Sequence, residues 1–391
     1  MILDSNVDRA APATPKLRVK MKNTFPIMFN VSTHLTTHAL NRHRYCQYNR
    51  YYILVQRMVL VMYYKRNNKR LSVSGRGDYM STSDFIIQYY TNLDACRKFF
   101  YDIKWPAGYY CEKCGCTHYY FMKTKNCYRC ANCKHDERLL SNTIFQDNKL
   151  PLNVLLYGLF LIFTANNGIS SMELSKELKV NYKTACLLQT KARILMKNSN
   201  SKRFLDSDFY ESDVAYTGAP SHNGKRGLGT DKQPFLIVLS TEQENQYPRF
   251  VKKQEVTTDS SNIIKGYFEK YVKMSKERKL NTDGKTTYNI LKNRIEVNNE
   301  VIDYDNDNHR LYFLNKIISN LNSQFIDRFH GVTKRMLPLY YSEFEWRFNH
   351  RNCKSIMDKI KNYIMQSSIA TRKMIRDSMD QYATARGLEN A

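Results

Sequence analysis

The sequence predicts a multidomain α/β protein: a small metal-stapled ribbon, a pair of short helices joined by a tight turn, and then a larger domain of strands and helices. Three observations carry this prediction. A chain of 391 residues, 42% of them hydrophobic, is long enough for two or three separate cores. Six of its ten cysteines fall between Cys111 and Cys133, a density that suits metal binding in a reducing compartment better than a disulfide framework. From about Phe204 onward, strand and helix patterns alternate: FYESDVAY, FLIVLS and RFVKKQEV, then a helical run from Ser261 to Met274.

The formal net charge of +25 implies a polyanionic partner, most simply nucleic acid. A membrane span is not expected. The most apolar runs, Tyr51 to Tyr64 with Arg57 inside it and Leu150 to Ala165, fall short of the roughly 18 apolar residues a spanning helix needs. No secretory signal is expected either.

Residues 1–79 hold 14 Lys/Arg, 3 Asp and no Glu, without a sustained helical or strand period. They read as a basic DNA-binding arm or as an upstream extension of a chain whose natural start is Met80, and runs such as YYILVQRMVLVMYY favour the second. From Ser83 the pattern becomes regular. Phe85, Ile86, Tyr89, Tyr90 and Leu93 recur at helical spacing, with Ser81 or Ser83 as the cap, giving a helical lead over residues 80–110.

The ribbon is expected over 111–140. Cys111-x-x-Cys114, 15 intervening residues and Cys130-x-x-Cys133 form two tight turns of two thiolates each, the set that closes a tetrahedral structural zinc site. Cys127 and Cys130 share the same spacing, but the outer pairing leaves Gly115 and Lys134 directly after the two knuckles. A ribbon this small needs the metal's binding energy to fold.

A buried helix is expected over Pro151 to Phe163, opening a DNA-binding segment over 150–200. Ser170-x-x-Glu173 is a capping box, Met172, Leu174 and Leu178 mark one helix, and Val180-Asn181-Tyr182 is a turn before a second helix from about Lys183. That is a helix-turn-helix pattern. Its second helix would offer Lys183, Thr184, Gln189, Lys191 and Arg193 to a DNA groove.

In FYESDVAYTG the two-residue period of a strand puts Glu211 and Asp213 on one face, with Tyr210, Ser212 and Val214 on the other. Seventy residues on, KLNTDG ends a short strand at Asp283. Two strand-borne aspartates make a site for Mg²⁺, which prefers carboxylate oxygens and keeps room for water and phosphate. Asp303, Asp305 and Asp307 do not make a calcium loop, because Asn308 and Leu314 stand where that loop needs Gly and Glu.

ESDVAYTGA followed by RGLGTDKQPFLIVLS, then TDGKTTYNIL, then the block from Leu314 to Arg351 with its E-F-x-x-R-F-N-x-R run, resembles the zinc-ribbon insertion-sequence transposases of the DDE superfamily, related to Merlin elements. The resemblance spans residues 80–355. It implies an RNase H-like domain over 204–355, a mixed sheet with helices on both faces. Residues 356–391 lie beyond the resemblance and read as a C-terminal helical tail, solvated after Arg372. It also implies a DNA transposase that binds terminal inverted repeats and a target duplex, as a homo-oligomer on DNA ends, in the nucleoid or nucleus with the chromosome. Two Mg²⁺ ions would be held by Asp213 and Asp283, with Asn315 at the position of the family's third carboxylate and Glu211 able to compensate from the same strand face. A reading from another class is a zinc-dependent, sequence-specific DNA-binding protein derived from such an element and lacking catalysis.

Overall fold

The computed structural model describes residues 80–217, 232–244, 246–299, 301, 310–329 and 332–385. Residues 1–79, the glycine-bearing stretch after Thr217, the Asp303 to Asp307 run and the His330-Gly331 pair lie outside the described residues.

The first helix, α1 (Thr82–Phe85), starts at a capping box in which Ser81 Oγ accepts from Asp84 N, and it runs on as a π turn over Ile86–Tyr90. Leu93 does not extend it. Asn92 caps a separate helix, α2 (Leu93–Lys104), by accepting from Ala95 N, and Leu93 itself is exposed. The ribbon follows as β1 (Tyr119–Met122), β2 (Cys127–Cys130) and β3 (Asp136–Glu137), all antiparallel.

Next comes α3 (Leu152–Thr164), the expected buried helix. Leu155, Leu156, Leu159, Phe160, Ile162 and Phe163 are all in the core, each contributing about 1.5–3 kcal/mol of apolar burial. The helix pair is α4 (Ser171–Leu178) and α5 (Tyr182–Ser201). Ser170 and Glu173 form the predicted box, Lys179 turns the chain through a left-handed conformation, and Asn181 caps α5. Leu174 and Leu178 supply its buried face, and Met172 is exposed.

The larger domain is built on a mixed sheet of β4 (Phe209–Thr217), β5 (Gln233–Thr241), β6 (Phe250–Glu255), β7 (Lys279–Thr282) and β8 (Glu296–Asn299). Its order is β6-β5-β4-β7-β8, antiparallel among the first three and parallel from β4 through β7 to β8. Strand β8 had no periodic signal in the sequence. Helix α6 (Ser261–Tyr271) packs Ile264, Tyr267 and Phe268 against Tyr210, Val214, Leu236 and Val238 on one face. On the other face α7 (Tyr312–Ser323) and α8 (Leu337–Asn349) cover Ala215, Phe235, Ile237 and Leu239. This helix-flanked mixed sheet is the expected RNase H-like layering.

Two further helices, α9 (Ile356–Met365) and α10 (Arg372–Ala385), complete the described chain. The first packs inward. Met357, Ile360 and Ile364 return to the core built by α2, α3 and α5, alongside Trp346 of α8.

Candidate metal and nucleic-acid sites

At the ribbon, Cys111, Cys114, Cys130 and Cys133 place their Sγ atoms within 4.8 Å of one another. Cys111 and Cys133 lie 3.6 Å apart and Cys114 and Cys130 3.5 Å. Four thiolates at about 2.3 Å from a tetrahedral zinc would be about 3.8 Å apart, so the cluster already has close to that size. Gly115 and Lys134, the residues after each knuckle, both have positive φ, which turns the backbone back over the sulfurs. Cys116 and Cys127 are outside the group. Cys116 bonds its sulfur to His118 O, and Cys127 is buried in β2 opposite Met122.

The helix pair assigns the predicted DNA-contact residues to two groups. Lys183 is exposed and Thr184 half-buried at the start of α5, beside exposed Tyr182 and Lys179. Gln189, Lys191 and Arg193 are corrections: all three are buried. Gln189 Nε2 donates to Ile169 O at 2.5 Å and its Oε1 accepts from Ser171 Oγ at 2.7 Å, which locks α5 to the entry of α4. Lys191 Nζ donates to Ile144 O at 2.6 Å. Arg193 Nε reaches Glu343 Oε2 at 2.6 Å, and its guanidinium lies 3.8 Å from the centre of the Tyr340 ring. Their polar ends were legible as DNA contacts only because helical phase alone does not say which face another helix will cover.

Glu343 belongs to the E-F-x-x-R-F-N-x-R run, whose polar residues all turn out to be fasteners. Arg347 pairs with Glu343 at 2.6 Å and donates to Ile162 O and Ala165 O at the end of α3. Asn349 accepts from Val251 N and donates to Val251 O, both at 2.8 Å, so its amide satisfies the outward edge of β6 like a neighbouring strand. Arg351 donates to Pro248 O and Arg249 O. Burial raises the Glu343 carboxyl, but Arg193 and Arg347 outweigh it and hold the group below its ordinary value.

The strand-borne acids come together on the sheet face covered by α7. The parallel register pairs Glu211 with Asn281, so two residues on, Asp213 and Asp283 stand side by side. Lys285 bridges them, its Nζ 3.1 Å from Asp213 Oδ1 and 2.9 Å from Asp283 Oδ2. Gly284, at φ +89, makes the turn that brings Lys285 back over both carboxylates; a Cβ there would sit 3.1 Å from the backbone of Val301. Burial raises the Asp213 carboxyl, Lys285 opposes this, and Asp283 adds to it. Burial works against the Lys285 ammonium, yet the two aspartates hold it above the usual lysine value. Asp283 Oδ1 is buried without a hydrogen-bond partner among the described residues.

Glu211 is buried on the same face, and its Oε2 accepts from Leu314 N in the first turn of α7 at 3.2 Å. Burial pushes its carboxyl up to about 8; the Leu314 amide opposes that shift and Glu244 adds to it. Asn315 is half-buried in that same first turn. At the far end of both elements Thr217 Oγ1 donates to Asn322 Oδ1 at 3.0 Å. Two bonds thus lay α7 along β4 and bring the Asn315 turn to the carboxylate face. Nothing in the local sequence marks Lys285 as the partner of both aspartates; the left-handed turn at Gly284 brings it there.

A four-thiol ribbon, a helix-turn-helix and two aspartates, one on β4 and one directly after β7, define a zinc-ribbon α/β protein with an acidic site on its mixed sheet. Residues 92–136 match the transposase zinc-ribbon domain and residues 207–349 match the ISXO2-like transposase domain. Together the two matches support a zinc-ribbon insertion-sequence transposase of the DDE superfamily. The first match opens at α2, which places that helix with the ribbon, and the second runs from the start of β4 to the end of α8. A search of curated proteins finds no match. No described helix is long and apolar enough to cross a membrane.

Proposed function

We propose that this transposase binds the terminal inverted repeats of its element through the ribbon (111–140) and the helix pair (150–200), and cleaves and transfers DNA strands at the sheet domain (204–355). The observation that carries the catalytic part is the side-by-side placement of Asp213 and Asp283 with one cationic group shared between them. The site fits a hard divalent cation. Its donors are carboxylate oxygens, and one of them, Asp283 Oδ1, is buried and unpartnered. Mg²⁺ held by Asp213 and Asp283, with the Asn315 amide at the edge of the site, would supply Lewis-acid activation of the attacking oxygen and stabilisation of the leaving one.

The protein's own residues do the positioning. Asp213 Oδ1 accepts from Val214 N at 2.6 Å, which fixes its carboxylate on the strand. Glu211 anchors the helix that carries Asn315. Tyr182, Lys183 and Thr184 present the exposed start of α5 to a DNA groove, and the net charge supports phosphate binding along the rest of the surface.

Asn315 supports a second reading, a repeat-binding protein without catalysis, because a neutral amide offsets metal charge less than a carboxylate does. The test is Mg²⁺- or Mn²⁺-dependent nicking of a labelled duplex carrying the element's own ends. Cleavage supports the first reading; specific binding without cleavage under either metal supports the second.

A further inference from the structure

Resting on the metal reading above, we propose that Lys285 is a built-in counter-ion which occupies the divalent-cation position between Asp213 and Asp283 and must swing out when metal binds, so that it sets the metal concentration at which the site loads. Its Nζ contacts one oxygen of each aspartate, at 3.1 and 2.9 Å. A cation bridging two carboxylates sits between them in the same way, so ammonium and metal exclude one another. The geometry also provides the exit. Lys285 follows a left-handed glycine, and its side chain is about one-third exposed while those of the aspartates are 15% and 12% exposed. The flexible four-carbon stem can therefore carry its charge to solvent, or toward DNA phosphate, while the carboxylates stay in place.

Without an occupant, two adjacent, largely buried carboxylates would repel each other. Lys285 removes that cost in the metal-free protein. The same contact makes loading a competition, in which a divalent ion gains two carboxylates only by displacing the ammonium and giving up part of its own hydration shell.

The experiment uses the full chain without DNA and reads Mn²⁺ binding from the loss of free-ion electron paramagnetic resonance signal, together with thermal unfolding in chelator and in Mn²⁺. Lys285→Met keeps the stem and removes the charge. It is expected to bind Mn²⁺ about tenfold or more tightly than wild type, to melt lower in chelator, and to regain more stability on adding Mn²⁺. Lys285→Arg, which keeps the charge, should bind no more tightly than wild type. Asp213→Asn should lose Mn²⁺ at this site in every background. If Lys285→Met binds Mn²⁺ equally or more weakly while Asp213→Asn still abolishes binding, the counter-ion proposal is overturned and the metal site stands. If wild type, Lys285→Met and Asp213→Asn all bind alike, both fail.

Discussion

Arg193 of α5 and Glu343 of α8 meet 2.6 Å apart in the interior, and Arg347 completes the contact from one turn further along α8. This buried triad fastens the second helix of the helix-turn-helix to the helix that covers the mixed sheet. Removing Glu343 leaves two buried guanidinium charges uncompensated, which costs about 3–5 kcal/mol. Glu343→Gln is expected to lower stability by that order in urea unfolding, and Arg193→Met by less, because Glu343 stays paired with Arg347. The double variant should cost clearly less than the sum of the two.

On the exposed start of α5, Lys183→Ala is expected to weaken binding to the element's ends and to reduce the slope of log affinity against log salt by about 1. Gln189→Ala should behave differently. Its amide holds Ile169 and Ser171, so the variant should unfold more easily while the salt slope stays as in wild type. Equal effects on the slope would contradict the division of α5 into an outward and an inward face.

Zinc content separates the ribbon's six thiols. Cys111→Ser or Cys133→Ser should lose the metal and the ribbon's order, because three thiolates no longer close the tetrahedron. Cys116→Ser should retain about one zinc per chain. Metal analysis of the purified variants checks both.

His350 gives a pH dependence with a definite sign. Its imidazole is lowered to about 4: burial is the main cause, Arg203 and Lys359 add to it, and the Trp346 carbonyl that accepts from Nδ1 opposes it. In the unfolded chain a histidine titrates near 6.5. Between these values the unfolded state takes the proton and the folded state does not, so stability falls as pH drops from about 6.5 to about 4. Against His350→Phe, which cannot titrate, wild type should lose stability more steeply through that window in pH-dependent unfolding.

What could be read from the sequence followed from periodicity and spacing. The Ser170 capping box, the alternation that sets Glu211 and Asp213 on one face, and the paired knuckles are local features, and local chemistry decides them. What could not be read depends on which surfaces meet. Gln189, Lys191 and Arg193 have the composition of DNA contacts, yet α8 and the chain around Ile144 and Ile169 cover them. Helix α9 has a polar enough sequence to pass for a tail, yet Met357, Ile360 and Ile364 complete the N-terminal core. Strand β8 is four residues, Glu-Val-Asn-Asn, and owes its form to pairing with β7. Lys285 became visible only when the turn at Gly284 placed it over both aspartates.

The central claim, that Asp213 and Asp283 carry strand cleavage, is tested most directly by Asp213→Asn and Asp283→Asn in Mn²⁺-dependent nicking of duplexes bearing the element's ends, with repeat binding measured in parallel. Each substitution removes a charge where phosphate charge must be offset. Cleavage is expected to fall by about a hundredfold or more while binding of the ends persists, and Asn315→Ala should weaken cleavage at limiting Mn²⁺. Cleavage that survives in both aspartate variants at the wild-type rate would contradict the account.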